Sequence, residues 1–160
     1  MSRSSRRVVV TGLGIVSPVG SSLELAWANI LAGKSGIGPI TLYDMSAYTT
    51  RFGGMVSADF SPESAMGPKE LRKTDRFIHY GVAACKQAVK DSGLEITDAN
   101  RERIGVLVGS GIGGIGKIEE EIAALHKGGP KRVSPFFIPG SIINMVVGMP
   151  PSHLALLARA

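Results

Sequence analysis

Gly109, Gly111, Gly113 and Gly114 stand between an apolar run, Ile104 to Val108, and a helical pattern that is established by Lys117. Glycine lacks a Cβ, so the backbone here is free to take positive φ and to approach another group closely. In an open α/β sheet ligands sit at the carboxyl ends of buried strands, which makes this turn the first candidate for chemistry. Gly109, Gly111 and Gly114 also satisfy G-x-G-x-x-G, the spacing that holds a dinucleotide's pyrophosphate. No second apolar strand ending in an acidic residue follows, however. The chain runs instead into Pro130, Lys131, Arg132 and Pro135, so a nucleotide-binding module is a weaker alternative. Glycines kept only for close packing are the plainer one.

The other chemistry-bearing residues are sparse. Cys85 is the single cysteine. It lies mid-helix in AACKQA, with no helix N-terminus or adjacent histidine to stabilise a thiolate, and reads as a buried structural residue. His79, His126 and His153 have no metal-ligand spacing, so neither a metal nor a cofactor is expected. The formal net charge is +5. Apart from Arg3, Arg6 and Arg7 at the start, the excess lies at Lys69 to Arg76 and Lys127 to Arg132. No aromatic side chains interleave with these groups as a platform for stacked bases, so nucleic acid is not an expected partner. Lys69, Arg72 and Lys73 are three and four apart and share one face of a helical turn.

The elements that must position these residues follow from pattern. At 160 residues, 44% hydrophobic and 19% charged, the chain has the makings of one globular domain. Ile104 to Val108 and Arg7 to Thr11 (RVVVT) are unbroken apolar runs, which suits α/β strands buried on both faces. Ser21 and Glu24 have capping-box spacing. They open a helix whose stripe is Leu23, Ala26, Trp27, Ile30 and Leu31, ended by Gly33. Lys34 to Ser61 is irregular, with a short strand expected in Phe52 to Val56, and Pro62 to Lys73 is expected to make one or two helical turns.

Asp75 is placed to cap a helix that runs to Ser92 and stops at Gly93. Its stripe is Ile78, Val82, Cys85 and Val89. Beside it, Phe77, Gly81, Ala84 and Ala88 form a small-residue strip suited to close packing on a sheet or on a twin in a dimer. After the glycine turn, Ile118, Ile122 and Leu125 mark the buried side of a helix with Glu119, Glu120 and Glu121 toward water, closed by Gly128. The segment GGPKRVSPFFIPG reads as extended, and Ser141 to Val147 as a short buried helix. No run reaches the roughly 18 apolar residues of a membrane span. The start MSRSSRRVVVTGLGIV lacks a small-x-small cleavage site, so a cytoplasmic location is expected.

Taken together, RRVVVTGLGIVSPVG, GPKELRKTDRFIHYG, DSGLEIT, RIGVLVGSGIGGIG and GGPKRVSPFFIPGSIINMVVG resemble the amino-terminal part of the β-ketoacyl-acyl carrier protein synthases, the type II condensing enzymes of bacterial fatty-acid synthesis. The resemblance runs from about Arg6 to Gly148, which makes 1–148 the amino-terminal synthase region and 149–160 (MPPSHLALLARA) a divergent tail. It implies an α/β, thiolase-like layered fold, present as an incomplete amino-terminal half, and a homodimer in the complete fold. It also implies acyl-chain elongation: an acyl group passes to a cysteine, then a malonyl thioester on the carrier loses CO₂ and attacks it. By the same resemblance Ile112 and Phe137 line the acyl pocket. Lys69, Arg72, Lys73, Lys131 and Arg132 face the acidic acyl carrier protein. The family's catalytic cysteine and histidines have no counterpart in this sequence, so no catalytic residue is assigned and the chain alone is expected to be inactive. The alternative is a non-catalytic partner of an intact synthase or of the carrier protein.

Overall fold

The computed structural model describes residues 6–148; the divergent tail and His153 lie outside the described residues. Helix α1, Leu23–Leu31, begins one residue later than the Ser21–Glu24 spacing predicts. Ser22 is the N-cap, its hydroxyl accepting from the Leu25 amide at 3.3 Å. Ser21 is engaged elsewhere, because its amide (3.0 Å) and its hydroxyl both donate to the Asp59 carboxylate. Of the predicted stripe only Ala26 is buried, and Trp27, Ile30 and Leu31 stand in solvent. Strands β1, Ile37–Pro39, and β2, Phe52–Gly54, form a two-stranded antiparallel sheet in which Gly38 faces Gly53.

The core is built on α3, Arg76–Ser92. Ile78, Val82 and Ala83 are buried with Ala65, Met66 and Val146, and Val16, Phe60, Leu71, Phe77 and Val108 pack around them. A 3₁₀ turn at Pro62–Ser64 and helix α2, Pro68–Leu71, precede α3 as the sequence predicts. Gly93, in the left-handed region at φ 63°, ends it, as a residue without a Cβ does most cheaply. The small-residue strip works by close approach. A Cβ on Gly14 would lie 2.0 Å from the Ala84 carbonyl oxygen, and one on Gly81 would lie 2.5 Å from the Val146 side chain. The strip thus packs within this chain, against the backbone of Gly12 and Gly14 and the Val146 side chain. Polar side chains of α3 supply what a neighbouring strand would: Asp91 accepts from the Leu13 amide at 2.8 Å, and Gln87 accepts from that of Ile15 at 3.1 Å.

The two apolar runs depart from expectation. Among the described residues, neither Arg7–Thr11 nor Ile104–Val108 is paired in a sheet. Ile104, Val106 and Val108 are half-buried while Leu107 is 98% exposed. The second run therefore has one face on the molecule and the other open. An apolar run supplies side chains for burial on two faces, but strand character needs backbone neighbours, and these runs have none among the described residues. The segment 130–141 also differs. A 3₁₀ turn, Pro130–Arg132, leads into helix α5, Phe137–Ser141, where extended chain was expected. Pro139 is tolerated there because the first helical turn has no internal partner for its missing N–H. The helix expected over Ser141–Val147 is displaced, with a separate helical turn at 145–148.

Candidate functional site

The glycine turn divides into two parts. A Cβ on Gly109 or Gly111 would meet nothing within 4 Å, so their surroundings are open. Gly113 has φ 85°, and Gly114 lies so close to Ser141 that a Cβ would fall 2.5 Å from its Cα. The Gly114 amide donates to the Ser141 carbonyl at 2.9 Å. This contact brings the turn carrying Ile112, 69% exposed, against the helix that begins with Phe137, which is half-buried. The two predicted acyl-pocket residues thus sit on elements that touch.

Helix α4, Ile115–Gly128, follows the turn, and Gly129 rather than Gly128 is its C-cap, with φ 76°. Asp75 occupies the N-cap position of α3 without capping it. Its carboxylate instead accepts from the Lys117 amide at 2.6 Å, and its own amide donates to the Gly140 carbonyl at 3.1 Å. One residue therefore ties the beginnings of α3 and α4 to α5. This also weighs against the nucleotide reading, since a carboxylate already fills the helix N-terminus that a pyrophosphate would need.

Lys69, Arg72 and Lys73 emerge from α2 and its C-cap, all exposed. Lys131 and Arg132 are exposed on the 3₁₀ turn before α5. The Lys73 ammonium stands 4.3 Å from the centre of the Phe136 ring, four residues after Arg132 in sequence, while the Arg132 side chain lies against Gly128. A guanidinium that the sequence reading passed over, Arg76, lines two neighbouring clefts of about 500 and 650 Å³ together with Arg72, His79 and Tyr80.

His79 is 8% exposed. Thr74 spends its hydroxyl proton on the Glu70 carbonyl at 2.8 Å, so it accepts from the His79 Nε2 proton at 3.0 Å. Burial holds the imidazole below its ordinary pKa, with the Asp75 charge opposing. Burial also pushes the Cys85 thiol up, away from thiolate chemistry. His126 is exposed, and among the described residues no three His, Cys, Asp or Glu side chains come together to hold a metal.

Glu121 corrects the sequence reading. It is 5% exposed where the pattern of three glutamates had turned it to water. Its carboxylate accepts from the Ser134 amide at 2.7 Å and faces the Lys117 ammonium at 3.3 Å. The buried side of α4 runs through Lys117, Ile118, Glu121 and Ala124, while Ile122 and Leu125 of the expected stripe are 47% and 40% exposed; the lysine four residues earlier is a local hint that does not by itself mark burial.

The chain matches the family model described as "Beta-ketoacyl synthase, N-terminal domain" over residues 5–156. It is 52% identical over 145 residues to the 3-oxoacyl-[acyl-carrier-protein] synthase 2 of Vibrio harveyi, covering 91% of this chain and 35% of that protein. The corresponding protein of Coxiella burnetii is 50% identical over 144 residues, with 90% and 34% covered. The chain spans about a third of the length of these curated relatives. Among solved structures, the ishigamide ketosynthase/chain length factor superposes with a TM-score of 0.76 at 28% identity, over 93% of this chain and 37% of that one. A chain from the complex of a type II PKS acyl-carrier protein with its ketosynthase, bound to the hexaketide, superposes with a TM-score of 0.75 at 26% identity, over 97% and 40%. The fold is the thiolase-like α/β fold of these ketosynthases, present as an incomplete amino-terminal half.

Proposed function

Because the chain belongs to the β-ketoacyl synthase family, in which it corresponds to the N-terminal domain, we propose that it provides the carrier-docking face and part of the acyl-pocket wall of a 3-oxoacyl-acyl carrier protein synthase. The reaction is chain elongation by decarboxylative condensation with malonyl-acyl carrier protein. Lys69, Arg72, Lys73, Lys131 and Arg132 meet the acidic carrier, and the complete enzyme works as a cytoplasmic homodimer. Ile112 and Phe137 contribute apolar wall, where each buried methylene of an acyl chain is worth about 0.8 kcal/mol. The observation that supports the docking role is the Lys73–Phe136 contact, which brings the segment that follows Lys131 and Arg132 against the Lys69–Lys73 group. A solved neighbour that contains a ketosynthase with its acyl-carrier protein supports the same partner class.

Burial raises the pKa of the Cys85 thiol and makes it unsuited to act as nucleophile. That favours, as a second reading, a non-catalytic binding partner of an intact synthase or of the acyl carrier protein. Titration of the chain with an acidic acyl carrier protein tests the docking role. Exposed charges of this kind steer encounter and are screened by salt. Replacing Lys69 and Arg72 together by glutamate should weaken binding by roughly tenfold at low ionic strength and flatten its salt dependence. Equal affinity and equal salt dependence in the variant would reject the assignment.

A further inference from the structure

Ser134 is a junction. Its amide donates to Glu121 at 2.7 Å, its hydroxyl accepts from the Phe136 amide at 3.1 Å, and its carbonyl accepts from the Phe137 amide at 3.0 Å. The Glu121 carboxylate is what α4 offers to Ser134, between the packing of Arg132 on Gly128 and the Gly114–Ser141 hydrogen bond at the other end of the helix. That carboxylate is held by Lys117, whose side chain is itself only 13% exposed. The Lys117 ammonium also meets Glu120 at 2.9 Å, and its backbone amide is fixed by Asp75. Burying a carboxylate and an ammonium is costly unless both are paired and hydrogen-bonded. Here each is, and the bonds converge on the residue that sets where Phe136 and Phe137 emerge.

We propose that Glu121, backed by Lys117, is a positioning residue that latches segment 130–137 to α4, so that Lys131 and Arg132 stand with Lys73 in one carrier-facing region. The role in docking rests on the function proposed above; the latch itself does not. Phe136 lies two residues beyond Ser134, after Pro135, and sits under the Lys73 ammonium. Release of Ser134 would therefore let Phe136, and with it the contact to Lys73, move. Glu121 touches no carrier group itself and acts only through the segment it holds.

Two measurements on the full chain decide this. Amide hydrogen exchange at residues 134–137 should speed up by tenfold or more in Glu121→Ala, and by less in Glu121→Gln, which keeps an oxygen to accept from Ser134. Total helix content by circular dichroism should be unchanged in Glu121→Gln, which keeps the test readable if the alanine variant fails to fold. Carrier affinity should fall in Glu121→Ala, and Arg132→Glu should cost less in that background than alone, as expected for residues acting through one arrangement. Unchanged exchange at 134–137 in both variants would overturn the latch. Full additivity of Glu121→Ala and Arg132→Glu would overturn its link to docking. A parent chain that binds no carrier would reject the docking function and with it that link, leaving exchange to decide the latch.

Discussion

His79 shows how one buried side chain sets a pH window. Burial is the largest influence on its imidazole and lowers the pKa from 6.5; Asp75 and the Leu71 and Thr74 carbonyls pull the other way, while Arg76 adds to the lowering. A base whose folded pKa lies below its unfolded value binds fewer protons when folded, so folding is favoured as pH rises through that interval. The contribution is complete above about pH 6.5 and is lost as pH falls toward the folded pKa. Unfolding midpoints measured at pH 7.5 and 5.5 should therefore drop in acid, and the drop should shrink in His79→Gln. An equal acid loss in the variant would place the cause elsewhere. Lys131 and Arg132 were legible as basic residues. Glu121 was not, because a helical face is named buried or exposed only by what packs on it, and the packing partner here is a backbone amide 13 residues on.

Helix α3 has the expected extent and stop, since its period and its closing glycine are local signals, but its buried side is Ile78, His79, Val82 and Ala83, and Cys85 and Val89 of the expected stripe are only half-buried. Its partner was not local. The chain over residues 12–15 lies along the Ala84 and Ala88 carbonyls, with Gln87 and Asp91 taking two of its amides. Gly14→Ala would force a Cβ into the space of the Ala84 carbonyl, which is backbone and cannot swing aside. Overpacking of this kind costs about 1–3 kcal/mol. Gly105→Ala, with open space around it, should change stability by no more than about 0.5 kcal/mol. Urea midpoints followed by helical circular dichroism compare the two, and equal midpoints would mean that the close approach contributes nothing.

For the whole molecule, the exposed apolar surface is the dominant fact. Val8, Val10, Trp27, Leu31 and Leu107 are all more than half exposed, while the largest fully buried side chains among the described residues are Ile78, Val82 and Val146. Apolar runs with unpaired backbone invite association, and a formal charge of +5 opposes it weakly. The purified chain should bind a hydrophobic dye and sediment as oligomers, and it should form no acyl-enzyme with radiolabelled acyl carrier substrate. A dye-silent monomer would contradict the first expectation, and acylation abolished by Cys85→Ala the second. The family, the helices α2, α3 and α4, and the basic and apolar residue types behind the proposed docking face and acyl pocket were legible in the sequence, because motif spacing and helical period are written within a few turns of chain. It took the tertiary structure to show that Asp75 caps α4 instead of α3, that Glu121 is buried, that Phe136 lies under Lys73, and that the two apolar runs are unpaired among the described residues. Each of these depends on which distant backbone group comes within hydrogen-bonding or packing distance, a quantity that no local pattern carries.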